Sequence, residues 1–300
     1  MASGAFIAVD WGTTNLRAWR LGLDGAVLQS AEFPFGVSRL ALGEAATRFE
    51  AEVRPALGGE GLPALLCGMI GSTLGWIVAP YIDCPASPEI LAAGLIEAAP
   101  GVRIVPGLRC AGLVGPDIMR GEETQILGWL AADPARARGR HLLCLPGTHS
   151  KWVQIEDGVV SRFVTAMTGE LYALLGAQSV LRFGLDQTED LEAFDRGVEA
   201  AGDGGALSAR LFGLRGLTLA GQVSAASAPS WLSGLLIGAE IAGLWPLMAG
   251  DAPGRIEFVG EPSLCALYSR AVASKCSHFG TTVGQAAALD GLKAIWKAAA

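Results

Sequence analysis

Several common signals are missing from this sequence of 300 residues. Its six cysteines (Cys67, Cys84, Cys110, Cys144, Cys265, Cys276) form no C-x-x-C pair, and no histidine ligand set is spaced to complete them. The usual zinc patterns are therefore excluded, and three of the cysteines sit in apolar runs as small buried hydrophobes of a reducing compartment. Charged residues make up only 17%, the net charge is −7, and no run of Lys or Arg occurs. That excludes nucleic acid as the main partner while leaving local basic residues for a small anionic substrate. Met1-Ala2-Ser3-Gly4 leads into a strand without the charged region and apolar core of a secretory leader, so a cytoplasmic location is expected. Trp231–Gly250 approaches the length of a membrane span, but Glu240 sits in its middle and Pro246 interrupts it. A charge at bilayer mid-depth costs about 2.5–3.5 kcal/mol even on a lenient scale. A buried helix is the expectation, with no membrane partner.

Hydrophobic residues make up 51% of the chain. This length and composition suit two well-buried domains of roughly 100–200 residues each. Against that background one pattern occurs twice. An apolar run, Ile7–Val9, breaks into Asp10-Trp11-Gly12-Thr13-Thr14-Asn15, resumes through Leu16-Arg17-Ala18-Trp19 and turns at Asp24-Gly25. A second run, Leu142–Leu145, breaks into Pro146-Gly147-Thr148-His149-Ser150-Lys151, resumes through Trp152-Val153 and turns at Asp157-Gly158. Asp-Gly between alternating runs predicts a hairpin, because both residues accept positive φ. A glycine followed by hydroxyl residues at a sharp strand end lets backbone N–H groups approach an anion. Two such hairpins half a chain apart point to duplicated domains holding one polyphosphate, as in a nucleotide-dependent phosphotransferase.

Between these hairpins the spacing predicts a helix over Glu44–Leu57, a buried strand at Leu65–Gly71, a helix over Ser87–Ala99, a strand at Val102–Pro106 and a helix over Glu122–Ala132. Ala131–Gly139 reads as a hinge-like connection, dividing residues 1–132 from 140–300. Beyond the second hairpin, helices are expected around Gly169–Leu175, Leu191–Ala200, Ala206–Leu211, from Leu232 onward, and over Ser263–Ser274, with a strand at Arg255–Val259. Strands alternating with helices favour α/β architecture with mixed, mainly parallel sheets.

In the first loop Asp10 is suited to orient a hydrated Mg²⁺, with Gly12, Thr13 and Thr14 offering donors to phosphate. The alternative is an ordinary hairpin start with capping hydroxyls. The second loop adds a hydroxyl, an imidazole and an ammonium. Arg255–Gly260, followed by Glu261-Pro262-Ser263, is a strand opening into a helix N-terminus that could receive a flat or anionic ligand part, though any α/β protein contains such turns.

The stretches Ile7–Leu21 (IAVDWGTTNLRAWRL), Gly68–Trp76 with Ala79-Pro80-Tyr81, Met119–Gln125 (MRGEETQ), Pro146–Val153 (PGTHSKWV), Met167–Leu171 (MTGEL) and Leu232–Glu240 (LSGLLIGAE) resemble the 2-dehydro-3-deoxygalactonokinase family of the sugar-kinase, hexokinase and actin-like ATPase superfamily. MRGEETQ and PGTHSKWV are the more family-specific. The resemblance implies two ribonuclease-H-like domains with a cleft between them, and transfer of the ATP γ-phosphoryl group, with Mg²⁺, to the 6-hydroxyl of a 2-oxo-3-deoxy sugar acid. It implies Gly12, Thr13, Thr14 and Asn15 as the first phosphate loop, and Gly147, Thr148, His149, Ser150 and Lys151 as the second. Gly260 and Ser263 fall in the adenosine loop.

The superfamily usually places an Asp at the start of the helix before the second phosphate loop, whereas this chain has Glu122 and Glu123 there and Asp117 slightly earlier. Glu122, then Asp117, is the expected group orienting the acceptor hydroxyl; Glu123 reads as complementing the helix dipole. Arg120 is the first candidate for holding the substrate carboxylate, ahead of Arg17 and Arg39. Ser72 and Trp76 are candidate sugar contacts, with Trp76 equally readable as a core aromatic. His149 is expected as a phosphate-loop donor rather than a base. A homodimer is one allowed assembly. The rival readings are a kinase for another sugar on the same fold, and a nucleotide-switch protein of the actin-like superfamily.

Overall fold

The computed structural model describes residues 5–184, 187–202, 205–249 and 255–300; Met1–Gly4, considered above at the start of the chain, lie outside them. Strands β1 (Phe6–Trp11), β2 (Leu16–Leu21) and β3 (Val27–Phe33) form an antiparallel meander. The helical stretch that follows runs from α1 (Glu44–Arg48) through a π-turn at Phe49–Val53 into α2 (Arg54–Leu57). Phe49, Val53 and Leu57 are all fully buried, as their spacing requires, and join the core formed by β1 side chains such as Ile7 and Val9. Next come β4 (Ala64–Cys67), β5 (Tyr81–Asp83), α3 (Pro88–Ala93), β6 (Ile96–Ala99), β7 (Val102–Ile104), β8 (Gly107–Ala111), β9 (Pro116–Met119) and α4 (Glu122–Ala131).

The first sheet has the order β3-β2-β1-β4-β7-β6, with β1, β4 and β7 parallel. The expected helix over Ser87–Ala99 is corrected here. Its Ser87-capped first half forms α3 and ends at Gly94, whereas Ile96 and Glu97 pair antiparallel with Ile104 and Arg103. Opposite charges across that pair and a free sheet edge outweigh weak helical propensity. A small sheet, β5-β8-β9, was not anticipated, because its strands of three to five residues are too short to show alternation.

The second repeat gives β10 (Arg140–Leu145), β11 (Ser150–Glu156) and β12 (Val159–Ala166), followed by α5 (Thr168–Gln178), α6 (Leu191–Gly202), α7 (Leu207–Leu219), α8 (Ala228–Met248), β13 (Ile256–Gly260), α9 (Pro262–Val272), β14 (Phe279–Val283) and α10 (Gly284–Ala298). Its sheet order, β12-β11-β10-β13-β14, repeats that of the first sheet, with β10 parallel to β13 as β1 is to β4. At the second turn both Asp157 (φ 49) and Gly158 (φ 78) adopt positive φ, as expected. At the first turn only Gly25 does; Asp24 instead accepts the Ala26 N–H at 3.0 Å. Helix α8 has the length and apolar character of a span, yet most of it is buried inside the protein, including Glu240.

Two compact units result: residues 1–140, 155–163 and 282–300, and residues 141–154 and 164–281. The last helix thus belongs with the first unit, whereas the sequence placed it with the second. The reason lies in glycine. A Cβ at Gly128 of α4 would stand 1.8 Å from the Ala287 carbonyl oxygen, and one at Gly291 of α10 would stand 1.8 Å from that of Thr124. The two helices meet backbone to backbone, a contact that hydrophobic periodicity does not announce.

Gly128→Ala is expected to destabilise by about 1–3 kcal/mol, because overpacking against backbone outweighs the roughly 1 kcal/mol gain in helix propensity. Gly216→Ala in α7, where a Cβ meets nothing within 4 Å, should be neutral or stabilising. Thermal unfolding of both variants checks the pair.

Candidate active site

The first loop leaves β1 at Trp11 and returns into β2 at Leu16, with Thr13, Thr14 and Asn15 exposed. Its carbonyls are occupied on one side. Val37 N–H donates to Gly12 O at 3.0 Å, Ser38 N–H and Oγ to Thr13 O at 3.1 and 2.7 Å, and Gly36 N–H to Thr14 O at 2.7 Å. Within the loop Gly12 N–H donates to Asn15 O at 3.0 Å, so the carbonyls of residues 12–15 all have donors. Gly36 makes this possible: a Cβ there would fall 2.2 Å from the Thr13 carbonyl. The sequence reading missed Gly36–Ser38, whose only signal is a glycine shortly after β3.

Asp10, half-buried at the end of β1, pairs in register with Cys67 at the end of β4. The Cys67 thiol points at Asp10 Oδ1 across 3.9 Å. Burial raises the Asp10 pKa; the positive Arg17 opposes that rise and the negative Glu122 adds to it. Gly68 follows with φ 90, since a Cβ would meet the Trp11 carbonyl oxygen at 2.8 Å. Gly121, at φ 105, comes within contact of Gly68 Cα and opens α4. The end of β1, the end of β4 and the start of α4 therefore converge, bringing Asp10 and Glu122 into electrostatic range.

The two glutamates separate as adjacent helix residues must. Glu123 is fully buried, accepting the Gly121 N–H at 2.6 Å and the Thr124 hydroxyl at 3.1 Å. Burial, with the Glu122 charge beside it, lifts its pKa to about 8. Glu122 stays half-buried and accepts the Arg120 N–H at 3.1 Å. Asp117 lies on β9 opposite Cys110, its carboxylate taking the Ile118 N–H at 2.8 Å.

Arg120 is buried. Its Nη2 donates to the Ala79 carbonyl at 2.7 Å and its guanidinium lies 4.4 Å from the Tyr81 ring centroid, while Nε and Nη1 have no hydrogen-bond partner. Gly71 lies against it: a Cβ there would come within 2.8 Å of Nη1. Ser72 is half-buried just after this glycine, its Oγ accepting the Leu74 N–H at 3.2 Å. Trp76 packs its ring 5.8 Å from that of Phe49 at the margin of the core, so the aromatic-core alternative describes at least part of it.

In the second unit the loop after β10 exposes Thr148 and His149 and leaves Gly147 open, with nothing within 4 Å of a Cβ. Its carbonyls are again occupied from behind: Glu170 N–H donates to Thr148 O at 2.9 Å and Lys151 Nζ to His149 O at 2.8 Å. Gly169 at the start of α5 presses on the loop, since a Cβ there would lie 2.4 Å from Gly147 O. His149 Nε2 and Glu170 Oε2 are 2.5 Å apart. Ser150 and Lys151 are buried, and the Ser150 hydroxyl meets the Tyr268 hydroxyl at 2.8 Å, so both residues shape the loop from beneath. Beside the loop lies a cavity of about 200 Å³, walled by Gly147, Thr168, Tyr172, Ile237 and Leu264 among others, and next to it a hollow of about 330 Å³ reaching Ser263. Gly260 ends β13 with its Cα hydrogens toward the Pro146 carbonyl, where a Cβ would sit at 3.3 Å. The Ser263 hydroxyl and amide are both taken by Glu261, which caps α9.

The raised pKa of Glu123 has a definite sign. Between the ordinary value of 4.5 and about 8, the folded state binds this proton and the unfolded state does not, so this group makes stability fall as pH rises through that window. Glu123→Gln should remove that slope, gaining stability relative to the parent at pH 8–9 but not at pH 5. Melting temperature against pH, in chelator, measures it.

Residues 10–295 match the family described as 2-keto-3-deoxy-galactonokinase. The Escherichia coli (strain K12) 2-dehydro-3-deoxygalactonokinase is 36% identical over 296 residues, with 98% of each chain covered. A Rhizobium meliloti (strain 1021) protein of the same assignment is 36% identical over 307 residues, again with 98% of each covered. Among solved structures, a Sinorhizobium meliloti protein assigned as a 2-dehydro-3-deoxygalactonokinase superposes with a TM-score of 0.81 at 34% identity, covering 97% of both chains. The Clostridium difficile activator of 2-hydroxyisocaproyl-CoA dehydratase shares only the fold, at a TM-score of 0.52 and 11% identity over 98% of this chain and 95% of its own. The mixed sheets flanked by helices form an α/β fold shared with that activator, and the chain belongs to the 2-keto-3-deoxy-galactonokinase family.

Proposed function

We propose that this protein is an ATP-dependent sugar-acid kinase that transfers the γ-phosphoryl group to the 6-hydroxyl of 2-dehydro-3-deoxy-D-galactonate, in the cytoplasm, during galactonate catabolism. Family membership supports ATP and a sugar acid as the small-molecule partners. The observation that carries the reading is the buried Arg120, with two unmet donors on the strand–helix junction that also carries Glu122. A neutral hexose would offer that guanidinium no charged partner. A sugar acid supplies the carboxylate that completes it.

In the proposed chemistry Glu122 accepts the proton of the 6-hydroxyl as its oxygen bonds to the γ-phosphorus, and the bond to ADP breaks. Ser72 and the free edge of Trp76 would contact the sugar. Gly12–Asn15 and Gly147–His149 would donate to phosphate oxygens, supported from below by Ser150 and Lys151, and the apolar cavity bordered by Gly147 and Leu264 would take the nucleoside. Gly260 would allow close approach there, and Ser263 would line the adjoining rim. The donor set suits Mg²⁺. Among the described residues no cluster of three or more His, Cys, Asp or Glu could hold a metal, and Mg²⁺ characteristically needs only one or two carboxylates besides water and phosphate. Asp10 would hold it, through water, and the ion would neutralise developing phosphate charge.

The direct test is ATP consumption across a panel of 2-oxo-3-deoxy sugar acids and ordinary hexoses. Turnover confined to neutral sugars, or absent with every acceptor, would reject the reading in favour of another sugar kinase or a nucleotide switch. Within an active enzyme, Glu122→Gln should lower kcat by about 10²–10⁴-fold while ATP binding persists. Asp117→Asn should do far less; the reverse order would move the base to β9.

Gly12→Val and Gly147→Val provide a second check. A Cβ at Gly12 meets only Asn15 O, at 3.5 Å, and one at Gly147 meets nothing within 4 Å, so both variants should fold. Each should nevertheless lose ATP binding, because the side chain occupies the space phosphate needs. Unchanged ATP affinity in either would remove that loop from the site.

A further inference from the structure

Glu240 is the one acidic residue in the apolar face-to-face packing of α8, and its carboxylate is at the centre of a buried polar cluster. Trp152 Nε1 donates to Oε1 at 2.6 Å and the Tyr268 hydroxyl donates to Oε2 at 2.7 Å. The Ser150 hydroxyl lies 2.8 Å from that of Tyr268, and the Ser150 and Thr168 side chains are near enough to the carboxylate to favour its charged form. All five residues are buried, none more than 8% exposed. Burial raises the pKa of Glu240, and the polar side chains of Thr168, Trp152, Tyr268 and Ser150 oppose that rise.

The position of these donors is informative. Ser150 and Trp152 are the first and third residues of β11, directly after the second loop. Thr168 begins α5 and precedes Gly169, which presses on the Gly147 carbonyl. Thr168 and Tyr268 also wall the 200 Å³ cavity beside that loop. One carboxylate thereby ties together the strand leaving the loop, the helix behind it and the helix across the cavity. As stability alone, this is a poor arrangement: an apolar residue of similar size, like its neighbours in α8, commonly serves a buried site as well or better. What a fully satisfied polar cluster provides is a single fixed geometry.

We propose that Glu240 is a positioning residue for nucleotide binding, setting the second phosphate loop and the start of α5 in the conformation that receives the phosphates. This rests on the kinase reading above. Glu240 is not among the residues that wall the cavity; it acts through Ser150, Thr168 and Tyr268.

The test measures Mg-ADP affinity by titration calorimetry for the full chain and for Glu240→Leu, Glu240→Gln and Tyr268→Phe, with melting temperature as the check on folding. Glu240→Leu should weaken Mg-ADP by about tenfold or more, the effect of losing one hydrogen bond to a charged group. It should raise KM for ATP correspondingly, while KM for the sugar acid stays within about twofold, as for an independent site. Glu240→Gln, which retains an acceptor oxygen, should recover most of the loss. Should Glu240→Leu fail to fold, Tyr268→Phe removes one donor and keeps the ring, and should shift Mg-ADP affinity in the same direction. Folded variants that bind Mg-ADP as the parent does, or that raise both KM values equally, would overturn the inference. A parent protein that does not bind Mg-ADP would instead reject the nucleotide reading itself.

Discussion

Parallel pairing of two strands is the constraint on which each half of this molecule depends. In the first unit β1 runs beside β4 in the same direction, with Asp10 opposite Cys67. In the second, β10 runs beside β13, with Cys144 opposite Phe258. Parallel strands finish together, so the loops that follow them, Gly12 with Gly68 and Gly147 with Gly260, emerge at one edge of their sheet. The carboxyl ends of parallel strands are where open α/β sheets receive ligands. Backbones must pass closely at such an edge, and glycine is what fits: a Cβ at Gly68 would approach the Trp11 carbonyl, and one at Gly260 the Pro146 carbonyl.

How the two loops are held shows the same physics reached by different residues. In both, carbonyl oxygens of the loop accept from neighbouring segments, which fixes the loop backbone. The first relies on backbone N–H groups of the turn at 36–38. The second relies on one amide of α5 and the ammonium of Lys151. A duplication of topology is therefore not a duplication of contacts. The first unit places acid groups near its loop, Asp10 and Glu122, and the second places His149 and Lys151 there.

Much of this was legible in the sequence because the signals are local. The two Asp-Gly hairpins, the face formed by Phe49, Val53 and Leu57, and the opening of α4 at Gly121 are each written within a few residues. The family resemblance then gave the activity that the comparisons support. Illegible features depend on contacts between distant segments. Nothing near Gly128 indicates that α10 will lie on it. The short strands β5, β8 and β9 carry too few residues for a period to emerge, and β6 was absorbed into a helix because pairing with β7, not local pattern, decides its state. Burial was not legible either: Ser150 and Lys151 look like exposed loop residues in sequence and are buried in space.

Glu240 illustrates the same division. In sequence it argues that an apolar stretch does not cross a membrane and closes one of the blocks that carry the family resemblance, with no role of its own. Space gives the charge its explanation, since Trp152 and Tyr268, 88 and 28 residues away, each direct a hydrogen at it. A carboxylate with no partners would be among the most costly groups to bury, and one with all its partners is among the most restrictive. Such a group leaves the elements around it one arrangement rather than several. For a site that must present backbone amides to phosphate at fixed spacing, restriction is the useful property, because a loop already in its binding geometry loses less conformational freedom when the ligand arrives. The same reasoning applies to Gly36 beneath the first loop, where steric fit rather than charge removes the alternatives.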